Sequence, residues 1–268
     1  MTEPLITWID EAQSTNTLMA RQCAGLPHGA VIAARRQTAG RGQRGNSWES
    51  EPDSNLTFSM LLRPRVIHAA TQFELSMLVS LGVCDALRSA CGLDLQVKWP
   101  NDIYVGDKKI CGILIENSLE GHRIGRSIAG IGINVNQERF LSDAPNPVSL
   151  TNLTGRTFDL QSLLSDVSRA IVNRIDDYES SPDAGHLLSE YRALLWRSDG
   201  YYLWHDATRD ETFEGRISDV AATGLLTVTT RTGESRTYAF KEVAAVLKKN
   251  NTIFSEPFSF PECYNQNQ

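Results

Sequence analysis

Residues 95 to 134 leave this chain little freedom. Leu95–Trp99, Ile103–Val105, Lys109–Glu116 and Ser127–Asn134 are short β-rich runs separated by turn signals such as Gly106-Asp107 and Glu120-Gly121. They predict a sheet, antiparallel or mixed, and the rest of the chain must cover it. Phe73, Met77, Leu81, Cys84, Leu87 and Cys91 recur at helical spacing and predict an amphipathic helix over His68–Cys91. Leu160, Leu163, Leu164, Val167, Ile171, Ile175 and Tyr178 predict a second helix, and Leu187, Leu188, Tyr191, Leu194 and Leu195 a third. Upstream, Pro4–Ile9, Val31–Ala34 and Leu56–Leu62 read as strands, and Ser14-Thr15-Asn16 offers N-cap chemistry for a helix carrying Leu18, Met19 and Cys23. The expected class is therefore α/β (α+β), a mixed sheet with helices.

Beyond Asp199 the texture changes to short alternating runs, Leu225–Thr230 and Arg236–Phe240, punctuated by Thr223-Gly224 and Thr232-Gly233. A small β-barrel fits such a pattern. The division expected is a large domain over 1–198, a barrel over 199–250 and a disordered tail over 251–268. A chain of 268 residues, 41% of them hydrophobic, can build a core of that size. Its net charge of −6 provides no polycation for nucleic acid. No stretch approaches the roughly 18 apolar residues of a membrane span, and no basic-then-apolar leader opens the chain, so a soluble cytoplasmic protein is expected. Cys23, Cys84, Cys91, Cys111 and Cys263 contain no C-x-x-C pair and read as reduced thiols, mostly small core residues. Cys84 and Cys91 would sit about 10 Å apart along one helix, beyond disulfide reach. The five histidines show no metal-ligand spacing.

Three constellations carry chemistry. The first is the loop Thr38-Ala-Gly-Arg-Gly-Gln-Arg-Gly-Asn-Ser-Trp48 between two strands. Its residues 40–45 satisfy G-x-G-x-x-G, but no helix follows to present an N-terminus to a pyrophosphate, which argues against a dinucleotide fold. Arg41 and Arg44 among glycines instead suit carboxylate or phosphate oxygens, because guanidinium forks bind them bidentately. The plainer alternative is a solvated hairpin. The second is Lys98-Trp-Pro-Asn-Asp102, too polar for core, where a lysine supplies a compact charge able to bridge two oxyanions; an ordinary exposed turn is the alternative. The third is Gly130-Ile-Gly-Ile-Asn134, whose glycines inside an apolar strand mark a bulge or a backbone lying against a ligand or a helix.

Together with Ser14-Thr15-Asn16, Gln37, Asn55-Leu-Thr-Phe-Ser59 and Lys109-Ile-Cys-Gly-Ile-Leu-Ile-Glu116, these stretches resemble the biotin protein ligase family over roughly residues 8 to 249. The resemblance implies a catalytic domain of the kind shared with class II aminoacyl-tRNA synthetases, followed by an SH3-like barrel. It implies an enzyme, a biotin-[acetyl-CoA-carboxylase] ligase, that uses ATP and Mg²⁺ to make biotinyl-AMP and transfers biotin to a lysine of a biotin carboxyl carrier protein. Ser14, Thr15, Asn16 and Gln37 would contact the ureido ring, and Gly112, Gly130 and Gly132 would lie along the valeryl chain. Gly40, Arg41, Gly42 and Gln43 through Trp48 would fold over the adenylate. Lys98, with Arg41 the catalytic pair, would touch the biotin carboxylate and the α-phosphate, while Asn101, Asp102 and Asn134 would place ATP and magnesium.

Two departures stand out. Many family members carry arginine where this loop has Gln43, so the adenylate is held with one charge fewer on the loop. No room precedes the first strand for a helix-turn-helix, which implies the type without a DNA-binding domain, no DNA partner and no membrane partner; a homodimer stays open. The rival readings are a lipoate or octanoate ligase or transferase of related fold, and a noncatalytic biotin-binding sensor or repressor, which would need a DNA-reading module.

Overall fold

The computed structural model describes residues 3–42, 48–141 and 146–247. The first half builds one seven-stranded sheet from β1 (Ile6–Ala12), β2 (Ala30–Gln37), β3 (Leu56–Leu62), β4 (Gln96–Lys98), β5 (Asp102–Val105), β6 (Lys108–Glu120) and β7 (Arg123–Ile133). Their spatial order is β1-β2-β3-β7-β6-β5-β4. Only β1 and β2 pair in parallel, and the segment between them holds helix α1 (Thr15–Gln22), as a parallel crossover requires. Every other ladder in this sheet is antiparallel.

Period-two alternation sorts the two faces of the sheet. Val31 and Ala33 of β2, Leu56, Phe58, Met60 and Leu62 of β3, Cys111 and Ile113 of β6, and Ala129, Ile131 and Ile133 of β7 all join the main hydrophobic core. That core is completed by α2 (Phe73–Cys91), α4 (Leu160–Ser180) and α5 (Ala184–Ala193). Helices α2 and α4 cross closely at Gly82, where a Cβ would lie 2.8 Å from the Ile171 backbone. The alternate residues, Thr57 and Ser59, Gly112 and Leu114, Gly130 and Gly132, face the other way, toward α1. Among the described residues, this second face carries a small apolar cluster around Met19, Ile32 and Ile128.

Several boundaries differ from expectation. The first long helix begins at Phe73 after a 3-10 turn, Ala69–Thr71, rather than at His68. Leu194 and Leu195 fall beyond α5, because Val97 N–H donates to Leu194 O and Trp196 N–H to Val97 O, which draws that segment onto strand β4. A short helix, α3 (Leu150–Thr154), with a Ser149 capping box, went unread. Strands β8 (Tyr202–Asp206), β9 (Glu211–Val220), β10 (Leu226–Thr230), β11 (Ser235–Tyr238) and β12 (Val243–Ala245) form a five-stranded antiparallel sheet in the order β11-β10-β9-β8-β12. This is the small β unit expected after Asp199; no ladder joins β11 to β12 among the described residues, and its edge strands are four and three residues long. Its apolar face, with Trp204, Val220, Leu226, Val228 and Tyr238, merges into the main core. Cys23, Cys84 and Cys111 are buried and Cys91 partly so, all as free thiols. Residues 251–268 lie outside the described residues.

Candidate active site

A cavity of about 800 Å³ opens on the glycine-bearing face, within the range of small-molecule sites. Strand β6 runs along it from Lys109 past Gly112 and Leu114 toward Glu116, about 23 Å for seven residue steps.

At the Glu116 end, Ser14, Thr15 and Asn16 are 5%, 3% and 3% exposed. Ser14 is the N-cap of α1, yet its hydroxyl makes no capping hydrogen bond. Thr15 N–H donates to Gln37 Oε1 at 2.8 Å. The Ser59 hydroxyl lies 2.8 Å from that of Thr15 and donates to Asn16 Oδ1 at 2.5 Å. Asn16 Nδ2 donates to Glu116 Oε2 at 2.8 Å, and the same oxygen accepts from Arg41 Nη2 at 3.0 Å. Four neutral polar side chains and two charged ones thus form one hydrogen-bonded set.

The glycines are explained by what lies on them. Gly112 and Gly132 are paired across β6 and β7, and a Cβ at either would meet the Trp48 indole, at 2.8 and 2.3 Å. A Cβ on Gly130 would lie 2.2 Å from Asn16 Oδ1. The glycine strip is thus covered by the Trp48 indole and by Asn16 from the first turn of α1. Trp48 N–H donates to Gly40 O at 3.0 Å and closes the loop at its base, where a Gly40 Cβ would stand 2.6 Å from Trp48 O. The Trp48 indole N–H is buried without a hydrogen-bond partner.

The other end is cationic. Lys98, at the end of β4, donates to Tyr104 Oη at 3.2 Å and lies over the rings of Tyr104 and Trp196, 5.1 and 5.5 Å from their centroids. The turn after it is held from two sides: Tyr191 Oη donates to Pro100 O at 2.7 Å, and Trp99 Nε1 to Gly224 O at 2.9 Å. Lys109 pairs with Asp102 at 2.7 Å. Arg41, Lys98, Lys109 and Lys241 line the cavity against Glu49 and Asp102, an excess of positive charge suited to anions.

Burial holds the Lys98 ammonium below the ordinary lysine range, opposed by Asp102 and reinforced by Lys109. With its folded value depressed, this group lowers stability at neutral pH, and the loss is relieved as pH rises through the folded value toward the unfolded one. An entering carboxylate favours the charged form. Above the depressed value a carboxylate ligand must therefore take up a proton on binding, and its affinity is expected to fall with pH there. Titration calorimetry in buffers of different ionisation enthalpy checks this; affinity and proton uptake independent of pH up to about 10 would separate Lys98 from the carboxylate.

Of the residues singled out in the sequence, Ser14, Thr15, Asn16, Gln37, Arg41, Gly42, Trp48, Lys98, Asp102, Gly112, Gly130, Gly132 and Asn134 line this one cavity. Gly40 and the buried Asn101 do not line it. Asn134 Nδ2 donates to Val148 O at 3.1 Å and Lys109 O at 3.4 Å, so its amide ties β6 to the segment before α3. Gln43 lies outside the described residues. Lys109 and Glu116 carry no assigned role although they open and close a matching stretch, and neither does Tyr104, two residues beyond the Lys98–Asp102 motif. Phe240 and Lys241 reach the cavity from the second sheet, and nothing local in the sequence signals that.

Residues 8–134 match the model of the biotin/lipoate A/B protein ligase family. The bifunctional ligase/repressor BirA of Bacillus spizizenii is 30% identical over 239 residues, 86% of this chain and 70% of that protein. The biotin–[acetyl-CoA-carboxylase] ligase of Paracoccus denitrificans is 34% identical over 184 residues, 63% of this chain and 73% of that one. In fold, the chain is similar to a biotin protein ligase from Aquifex aeolicus in complex with biotin and ATP, with a TM-score of 0.75 at 24% identity, covering 90% of this chain and 98% of the other.

Proposed function

From the premise that the chain belongs to the biotin/lipoate A/B protein ligase family, we propose that it activates biotin with ATP and transfers it to a lysine of a biotin carboxyl carrier protein. The observation that carries this reading is the layout of this cavity. A set of neutral hydrogen-bonding groups, a strip of glycine backbone and a half-buried lysine follow one another in it, as a molecule with a ureido ring, an aliphatic chain and a carboxylate requires.

The chemistry follows from charge. A carboxylate must approach the α-phosphorus of ATP although both are anionic, so the site has to hold and neutralise them together. Lys98, which lines the cavity, would touch both. A carboxylate oxygen attacks the α-phosphorus, pyrophosphate leaves, and biotinyl-AMP remains under the loop that Arg41 and Trp48 border. The acceptor amine, deprotonated, then attacks the carbonyl carbon and AMP leaves. No protein nucleophile is needed.

Magnesium belongs to this proposal as a companion of the nucleotide. Among the described residues no group of three or more His, Cys, Asp or Glu side chains could hold a metal. Mg²⁺ suits one or two carboxylates plus substrate phosphates, and Asp102 supplies such a carboxylate at the cationic end. Bound there, it would add positive charge beside the leaving pyrophosphate. No described helix is long and apolar enough to cross a membrane; a cytoplasmic location is proposed from ATP use and free thiols.

Biotin-dependent exchange of labelled pyrophosphate into ATP is the expected activity, with lipoate and octanoate inactive. Equal exchange with lipoate would reassign the substrate; no exchange with any of the three would sink the reading.

A further inference from the structure

Resting on the biotin reading, we infer that Glu116 is the positioning residue that couples the ring-binding end of the cavity to the adenylate loop, through one carboxylate oxygen shared by Asn16 and Arg41. Glu116 is a solvent-facing residue, its side chain 42% exposed, that does not line the cavity, whereas both of its partners do. Its Oε2 accepts from Asn16 Nδ2 at 2.8 Å and from Arg41 Nη2 at 3.0 Å.

The two partners need different things from it. Asn16 is buried against Gly130, and its amide is oriented by opposite neighbours: Ser59 donates to its oxygen, while Glu116 accepts from its nitrogen. An acceptor at Glu116 is all that this orientation requires. Arg41 is different. Its side chain is 44% exposed, at the start of the loop, and no hydrogen bond in the described residues other than that to Glu116 anchors its guanidinium. A guanidinium has five donors, so one can rest on Glu116 while the others face a ligand. The charge of Glu116 therefore preorganises Arg41 at the cavity mouth, and its oxygen preorganises Asn16 at the floor.

The two jobs separate by substitution. Glu116→Gln keeps a carbonyl oxygen for Asn16 and removes the charge that holds Arg41. It is expected to leave KM for biotin within about twofold of wild type while biotinyl-AMP escapes roughly fivefold faster. That ratio corresponds to about 1 kcal/mol, the upper end for an ion pair exposed on both sides. Glu116→Ala removes both contacts and is expected to raise KM for biotin roughly tenfold as well. In an Arg41→Ala background, Glu116→Gln is expected to change the escape rate no further, because its partner is gone. A residue needed only for folding would instead lower thermal stability in both variants, affect KM and escape together, and keep its effect when Arg41 is absent.

The measurements are steady-state KM and kcat for biotin, stopped-flow release of preformed biotinyl-AMP, and thermal melts of the five proteins. Wild type active in pyrophosphate exchange, with Glu116→Gln indistinguishable in release or equally effective with and without Arg41, would overturn the coupling while leaving the function intact. Tighter retention by Glu116→Gln would also overturn it, since Glu116 would then be withholding Arg41 from the ligand. Wild type inactive in exchange would overturn the functional reading itself.

Discussion

Lys98→Ala is expected to slow single-turnover formation of biotinyl-AMP by roughly a hundredfold to a thousandfold, with the fold and most of the biotin affinity retained. The ammonium sits at the end of a short strand, held by Tyr104 Oη and two aromatic rings, while the turn beyond it is fastened to Tyr191 and Gly224. Such a cation is preorganised. It interacts most strongly as the new carboxyl–phosphorus contact forms, so its removal should act on turnover more than on ground-state binding. The neighbouring Lys109 cannot take over unchanged, because it is paired with Asp102 at 2.7 Å. Stability should not fall, since a desolvated ammonium is an unfavourable thing to bury. Circular dichroism with rapid-quench measurement at saturating biotin and ATP provides the check. A variant slowed less than about tenfold would mean that Arg41 or the metal provides the charge at the reacting centre.

Gly130→Val is expected to weaken biotin binding on the order of a hundredfold, about 2.8 kcal/mol. Even the first carbon of the new side chain would stand 2.2 Å from Asn16 Oδ1. Asn16 cannot yield easily, because Ser59 and Glu116 hold its amide from two sides and it lies within the first turn of α1. Displacing it breaks buried hydrogen bonds and removes a polar group proposed to meet the ureido ring. The strand partners of Gly130, Ser59 on β3 and Leu114 on β6, face the same crowded floor, so the valine has nowhere else to go. Isothermal titration with biotin, beside a thermal melt, separates lost affinity from lost fold. Affinity within threefold of wild type in a folded variant would show that the floor at Gly130 is not the ring site.

Most strand and helix positions were legible because alternation and 3.6-residue periodicity are local patterns, and here they agree with the packing. Leu56–Leu62 emerged at its observed limits. Where packing overrode the pattern, the sequence was misleading: Leu194 and Leu195 continue a helical spacing, yet their backbone bonds to Val97. Ser14-Thr15-Asn16 was legible as a helix start and, by resemblance, as a binding motif. The helix start is present, but the Ser14 hydroxyl makes no cap hydrogen bond and lines the cavity.

What the chain's own order of residues determined was the list of elements, their apolar faces and the three motifs that proved to border one cavity. Those are properties of segments no longer than a helix, set by the side-chain repeat of each backbone type. Only the tertiary structure decided that Gly112 and Gly132 stand opposite each other beneath Trp48, that Glu116 joins Asn16 to Arg41, and that Phe240 and Lys241 complete the wall. The physical reason is register. Contacts between residues 75 to 125 positions apart depend on which strand lies beside which and at what offset, and that is settled by burial of the whole core rather than by any local run.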